Sequence, residues 1–346
     1  MSPNVTFKSN EDRAPGPAGP GDALVDSGGR PVAAAPSVAD ARREAFTPSH
    51  GDAPARMPAP PFGLVDLGPA AALRVIGPDR EKWVQGMQSN DVAATPYGGA
   101  VAAAFLNGKG RLVAEGYVWR SPEELILTTL PERLDALHAH LDKLLIMEDC
   151  ELSRVSGLRR MLWCPGPEPL GKLAEVTGSL QPLGLELLLP EERARDLLAQ
   201  LPRADAGAIE PWRIAIGLPA WGTELDEEST PVEAGLDRQV SFDKGCYVGQ
   251  EVIAMATFRG RVAWNLVRLQ VQGGAPALGA KLDERAGAGK RGRVSSAVQL
   301  DGVSVLLGYV HKEQIAPGSQ AKLEDGRTAT VLGLPFGSRP GAGVCA

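Results

Sequence analysis

Apolar and polar positions change period along the chain, and each change marks an element. Residues 72–76 form a short apolar run closed by Gly77-Pro78. Pro78 suits the first position of a helix, Asp79, Glu81 and Lys82 give that helix a polar face, and Trp83, Val84 and Met87 give it an apolar one. Ser89-Asn90-Asp91 ends it with residues that tolerate turn geometry. Residues 100–106 and 111–119 read as two strands joined by Asn107-Gly108-Lys109-Gly110, a strong hairpin signal, and the second alternates with Val113, Glu115, Tyr117 and Trp119 on one face. A third strand over 124–129 is followed by an amphipathic helix that Pro131-Glu132 opens, with Leu134, Leu137, Leu141, Leu144 and Leu145 turned inward. Strands are expected over 150–155, 158–164 and 180–189, and helices over 167–176 and 190–201. Residues 212–217 are short and apolar, and 218–233 are irregular and acidic. Beyond Arg261 the text turns strand-like at 262–271, 292–300, 303–310, 321–323 and 328–332, with Gly-rich connections. The pattern predicts an α+β protein with helices laid on mostly antiparallel sheets, ending in a small antiparallel β-barrel.

One stretch, 241–261, stands apart. Two glycines bracket Cys246 and Tyr247, Lys244 lies two residues before the thiol, and Val252, Ile253, Met255 and Ala256 follow at helical spacing. Gln250 and Glu251 fall in the first turn, so Cys246 is expected just outside a helix N-terminus. That field favours a thiolate, and Lys244 adds to it. A plain buried cysteine at a tight turn fits the same letters.

Composition narrows the chemistry. A chain of 346 residues exceeds one core, and 43% apolar with 23% charged residues is ordinary for a globular protein. Residues 1–60 are rich in Pro, Ala, Gly and charge, and are expected to be a disordered extension ahead of an α+β region at 61–256 and the barrel at 257–340. Net charge is −6, which disfavours a general polyanion surface, so no direct nucleic-acid contact is expected. Lys290-Arg291-Gly292-Arg293 reads as a solvated hairpin end. No apolar run is long enough to span a membrane. Cys150, Cys164, Cys246 and Cys345 make no C-x-x-C pair and have no metal spacing with the four histidines, so no metal site is expected. With no secretion signal they read as reduced cytoplasmic thiols.

Lys244-Gly-Cys-Tyr-Val-Gly-Gln-Glu251, followed by Phe258-Arg259-Gly260, resembles the signature of the YgfZ family of folate-binding proteins, part of the wider group of the glycine-cleavage T-protein, an aminomethyltransferase. The resemblance extends over about 62–336. It includes Val75-Ile-Gly-Pro-Asp79, Ser89-Asn-Asp-Val92, Leu106-Asn-Gly-Lys-Gly110, Leu225-Asp-Glu-Glu-Ser-Thr-Pro-Val-Glu-Ala-Gly235, and the closing Gly308-Tyr-Val and Leu334-Pro-Phe. It implies a three-domain ring around a central cavity for tetrahydrofolate or a one-carbon derivative, the region at 61–256 forming two intertwined subdomains. It also implies a part in iron–sulfur cluster assembly or repair in client proteins, and through that in tRNA thiomodification, with Cys246 as the functional thiol. Lys244 then activates the thiol, Tyr247 and Gln250 position the substrate, and Arg259 holds an anionic group. Asn90, Asp91, Asn107 and Arg213 are carried over as folate-binding positions.

The departures matter. Where T-proteins carry a paired aspartate this chain has Ala114 and Glu115, and where their Arg-x-Glu-x-Gly glutamate contacts the pterin it has Ala215. Where they have an aspartate at the motif it has Cys246. Asp226, Glu227 and Glu233 are candidate substitutes for the missing acid. Three functions follow: a folate-dependent accessory protein acting through Cys246, a one-carbon transferase using Glu115, and a protein-binding scaffold without folate.

Overall fold

The computed structural model describes residues 57–58, 61–164, 178–181, 183–258, 262–287 and 289–335. The expected disordered extension over 1–60 (57–58 apart), the helix expected over 167–176, and Arg259 lie outside the described residues.

Three antiparallel sheets form the body. The chain enters through β1 (Gly63–Pro69) and crosses at once into β2 (Ala71–Ile76), which belongs to a different sheet. β2 is followed by α1 (Arg80–Met87), β3 (Ala100–Leu106), β4 (Leu112–Arg120), β5 (Leu125–Thr129), α2 (Leu134–Asp142) and β6 (Glu151–Val155). The first sheet has the order β3-β4-β5-β2-β6, with Ala104 opposite Glu115 and Phe105 opposite Ala114 in the β3/β4 ladder. Alternation along β4 sends Ala114 and Val118 into a core with α1 and α2, where Trp83, Val84, Leu137 and Leu141 are buried. The other face of β4 carries Glu115, Tyr117 and Trp119 toward the second sheet.

That second sheet is β1-β7-β9-β8, built from β1, β7 (Leu158–Cys164), β8 (Ser179–Gln181) and β9 (Gly184–Pro190), and covered by α3 (Glu191–Gln200). The single strand expected over 180–189 is thus a hairpin of two. Because β1 pairs with β7, the two sheets are threaded through one another in sequence, and Ala72, Tyr117, Trp119 and Ile126 close the seam between them with Leu158 and Leu188.

The segment expected to be a short apolar run is a helix, α4 (Ala206–Ile216), with Pro211 inside it. The Asp205 carboxylate caps its start by accepting from Gly207 N at 2.9 Å, and Gly217 at φ +84° ends it in the left-handed region. It packs Trp212 and Ile216 on the second sheet and Ile214 on the third.

After α5 (Gln250–Phe258), the third sheet takes β10 (Trp264–Gln272), β11 (Val294–Leu300), β12 (Val303–His311), β13 (Gln320–Lys322) and β14 (Thr328–Gly333) in the order β11-β12-β10-β14-β13, around its own core of Val267, Leu269, Leu306 and Val331. Among the described residues no helix is long and apolar enough to cross a membrane.

Candidate functional site

The stretch around Cys246 is built from its neighbours inward. A helix ends with carbonyls that have no partner within it. At α1 the motif supplies those partners: Lys244 Nζ donates to Gln85 O at 2.6 Å, Gln88 O at 2.8 Å and Asn90 O at 2.6 Å, and Val248 N donates to Gly86 O at 3.1 Å. A cation at this end also suits the helix dipole. Burial pulls the ammonium pKa down to about 8, with the nearby Asp91 carboxylate acting against the shift. The three donors expected to support the thiol are therefore spent on α1, and Lys244 acts as a buried bolt. A Lys244→Met variant leaves the Gln85 and Gln88 carbonyls without that donor and is expected to lose about 2 kcal/mol of stability, read as a lower urea midpoint at unchanged slope.

Tyr247 is the second anchor. It is buried in a core with Leu106, Leu112, Leu236, Val240 and Ile253, its ring centroid lies 5.1 Å from Lys244 Nζ, and burial raises its hydroxyl to about 12. Gly249 is the third. At φ +83° it lies so close to the Asn107–Gly110 hairpin that a Cβ would stand 2.8 Å from the Asn107 carbonyl oxygen, so the second glycine of the motif is a packing requirement. Between these fixed points Gly245 and Cys246 are exposed, four residues before α5 begins at Gln250. The chain thus presents the thiol to solvent from a loop held rigidly on both sides.

The other expected binding positions have mostly local tasks. Asn90 Nδ2 donates to Ala102 O and Arg238 O, both at 2.7 Å, tying the end of α1 to β3 and to the approach to the motif. Asp91 accepts from Gln85 Nε2 at 2.8 Å, and Asn107 Oδ1 accepts from Lys109 N and Arg111 N inside the hairpin turn. Arg213 spends every donor: Nε and Nη2 on Glu210, Nη1 on Leu218 O and Glu224, and Nη2 also on Ser296 Oγ. It has none left for a ligand, and Ala215, two residues on, is wholly buried. The candidate substitutes for the missing acid are also engaged. Asp226 accepts from Ser229 Oγ, Glu227 pairs with Arg133 at 2.5 Å, and Glu233 pairs with Arg291 at 2.5 Å.

The basic cluster expected to be a solvated hairpin end holds the acidic segment down. Lys290 Nζ donates to Gly222 O, Thr223 O and Leu225 O, and Arg291 reaches both Glu228 O and Glu233. Opposite-sign segments distant in sequence thus cancel locally.

A second cluster lies in the seam between the first two sheets. Glu115 is half-buried on the face of β4 turned toward the second sheet. Its Oε2 accepts from Gln239 Nε2 at 3.0 Å, and Gln239 Oε1 is buried with no hydrogen-bond partner among the described residues. Tyr117 stands beside it, and Arg160 donates to Glu186 Oε1 at 2.5 Å across the seam. Burial raises the Glu115 carboxyl above its ordinary value of 4.5 and the Glu186 charge adds to this, while the Gln239 hydrogen bond and Arg160 oppose it. Gln239 was missed in the sequence reading because its partner is 124 residues away.

Among the described residues no group of three or more His, Cys, Asp or Glu side chains is placed to hold a metal ion. The polar cluster of the seam joins a half-buried carboxylate to an amide nitrogen, and the oxygen of that amide is buried with no hydrogen-bond partner among the described residues.

No family model matches the chain. An uncharacterised protein of Haemophilus influenzae is 30% identical over 256 residues, covering 69% of this chain and 86% of the relative. The tRNA-modifying protein YgfZ of Escherichia coli O7:K1 is 26% identical over 335 residues, covering 84% of this chain and 98% of the relative, and that of Shigella dysenteriae is 27% identical over the same shares. Among solved structures, the glycine cleavage system aminomethyltransferase T of Bartonella henselae superposes with a TM-score of 0.64 at 21% identity, covering 80% of this chain and 87% of the other.

Proposed function

We propose, from its similarity to the YgfZ proteins of Escherichia coli and Shigella dysenteriae and from its T-protein-like fold, that the chain is a member of the YgfZ family and a folate-binding accessory protein for iron–sulfur cluster assembly or repair, acting through Cys246. In this reading the three sheets form a T-protein-like ring around a tetrahydrofolate cavity, the third sheet being its barrel. The clients are iron–sulfur proteins, including those that thiolate tRNA, and the setting is the cytoplasm.

One observation carries the reading: Cys246 is the exposed point of a loop whose flanks, Lys244 and Tyr247, are buried and bonded. Packing does not need that sulfur, so its place in a rigid display is a chemical one. The seam supports the folate half. Gln239 Oε1 is a buried acceptor without a partner, which costs stability unless a donor meets it, and a pterin carries N–H donors. Bound tetrahydrofolate would supply one-carbon chemistry at its reduced ring. The protein's part is to hold it through Glu115 and Gln239 and to keep the thiol accessible. Titration calorimetry tests the binding half: tetrahydrofolate should give saturable heat with the wild type and the same heat with Cys246→Ala.

A second reading has its own support. Glu115 occupies the β4 position aligned with the T-protein aspartate, and its raised pKa suits a group that holds or passes a proton. A one-carbon transferase of this kind would turn over an aminomethyl or N-methyl donor with tetrahydrofolate, and Glu115→Gln would abolish that turnover.

Both readings share a stability prediction. A carboxyl whose folded pKa is raised binds its proton more tightly folded than unfolded, so it costs stability at alkaline pH and ceases to as the pH falls through the raised value toward 4.5. Glu115→Gln removes that cost. The variant is expected to melt above the wild type at pH 8, with the gap closing toward pH 5. An equal gap at both pH values would show that Glu115 carries no burial penalty.

A further inference from the structure

Away from the thiol loop and the seam, the most exposed large apolar residues among the described residues are neighbours: Ile146 and Met147, at 80% and 90% exposure. They lie in the loop between α2 and β6, which is held on both sides of the pair. Before it, Trp83 Nε1 donates to Leu144 O at 3.4 Å, and Leu145 packs on the core of the first sheet. Beyond it, Asp149 N donates to Asp79 Oδ2 at 3.0 Å and Asp79 N donates to Asp149 O at 3.3 Å. The Glu148 carboxylate fixes the tip itself, accepting from the amides of Ile146 at 3.2 Å and Met147 at 3.1 Å. Neither side chain can fold back under the loop. A rigid apolar tip left in water is what a docking anchor requires.

Its place in the fold is a second observation. Asp79 precedes α1 and Trp83 lies one turn in, whereas Lys244 and Val248 bind the carbonyls at the other end of the same helix. α1 has eight residues, about 12 Å of helix, so it holds the apolar tip at one end and the Cys246 loop at the other. An ordinary interface covers about 800 Å² of each partner, roughly 28 Å across, so a single partner spans both. Charge sets the chemistry of that partner. Asp142, Glu148, Asp149 and Glu151 are exposed on either side of the pair and outnumber Lys82 and Lys143. Such a rim repels an anionic lipid surface and suits lysine or arginine.

We propose that the Ile146–Met147 tip docks the iron–sulfur client itself, entering an apolar pocket edged by lysine or arginine side chains and holding the client within reach of Cys246. The inference rests on the reading of Cys246 as the working thiol of an accessory protein. The apolar pair governs how long the complex lasts, and the acidic rim speeds the encounter.

The test takes the purified apo-form of an iron–sulfur enzyme whose activity falls in a strain lacking the protein, and measures its binding to the immobilised full chain by biolayer interferometry. Wild type and Cys246→Ala should both bind it, more weakly at high salt. Ile146→Ser combined with Met147→Ser should lose at least about tenfold in affinity, while Ile146→Leu combined with Met147→Leu keeps it. The serine variant should melt with the wild type yet fail to restore the enzyme activity of the strain. A merely structural tip would lower the melting temperature and leave the affinity intact. Binding by the serine variant at wild-type affinity overturns the inference, as does no binding by the wild type. A tip-dependent dimer in sedimentation would make a second copy the occupant, and tip-dependent pelleting with phosphatidylserine vesicles would make it a lipid surface. Either result overturns the inference too. In all these cases the reading of Cys246 stands so long as Cys246→Ala leaves the strain's activity unrestored, whereas full restoration by that variant overturns both.

Discussion

Replacing Cys246 with alanine is expected to abolish function while leaving the fold untouched. The thiol is exposed and the residues that fix its loop, Lys244, Tyr247 and Gly249, keep all their contacts. Surface changes of this kind shift stability by no more than about 0.5 kcal/mol. The denaturation midpoint should therefore match the wild type. A strain lacking the protein and carrying Cys246→Ala should show the iron–sulfur enzyme activity of the empty strain. Full restoration of that activity by the variant would remove the thiol from the mechanism. The contrast with Lys244→Met separates two roles that adjoin in sequence: one residue builds the loop, the other uses it.

The largest expected loss of stability lies away from the thiol, at Arg213. Its guanidinium sits in the join between α4, the 218–224 segment and β11, and pairs with Glu224, which is completely buried. Burial alone would raise the Glu224 carboxyl. The Arg213 charge, with hydrogen bonds from Ser296, Thr223 and the Ala220 amide, outweighs it and holds the group below its ordinary value. Arg213→Met leaves that carboxylate buried without its counter-charge, a change that costs about 3–5 kcal/mol. Glu210→Ala removes only the exposed partner and should cost less than about 1 kcal/mol. Urea midpoints of the two variants check the difference. Equal midpoints would mean that the buried pair contributes no more than the exposed one. The same bonds commit the Arg213 donors within the protein, whereas its place in the family pattern suggested a folate contact.

How much of this was written in the sequence depends on the range of each interaction. The β3/β4 hairpin was legible because its signals are local: alternating strands flank Asn107-Gly-Lys-Gly110, and Asn107 bonds to the turn amides two and four residues on. The helix after Gly249 was legible from its apolar spacing. α4 was not, because Pro211 interrupts the helical text, and tertiary packing of Trp212, Ile214 and Ile216 on two sheets overrides the local preference. β1 was hidden for a different reason. Gly63, Gly68 and Pro69 punctuate it, and the register shifts between Asp66 and Gly68. Gly68 N donates to the Asp66 carboxylate there, so a bulge breaks the alternation that would have marked a strand.

At the site the same division holds. The octapeptide singled out Cys246, and the structure leaves that thiol exposed. Lys244 looked like an activator because it lies two residues away in the chain. Its bonds run to residues 154–159 positions distant, which no local pattern encodes. Gln239 carried no signal at all. Its meaning comes only from Glu115 across the fold and from the oxygen left without a donor. Similarly, Lys290 and Arg291 read as surface charge until the acidic segment is laid against them.

The central claim is that one molecule joins a folate cavity to a displayed thiol, each independent of the other. The measurement that reaches it most directly is calorimetric titration of tetrahydrofolate into the wild type and into Cys246→Ala. The account predicts saturable binding of equal affinity in both. Absence of heat with the wild type would contradict it.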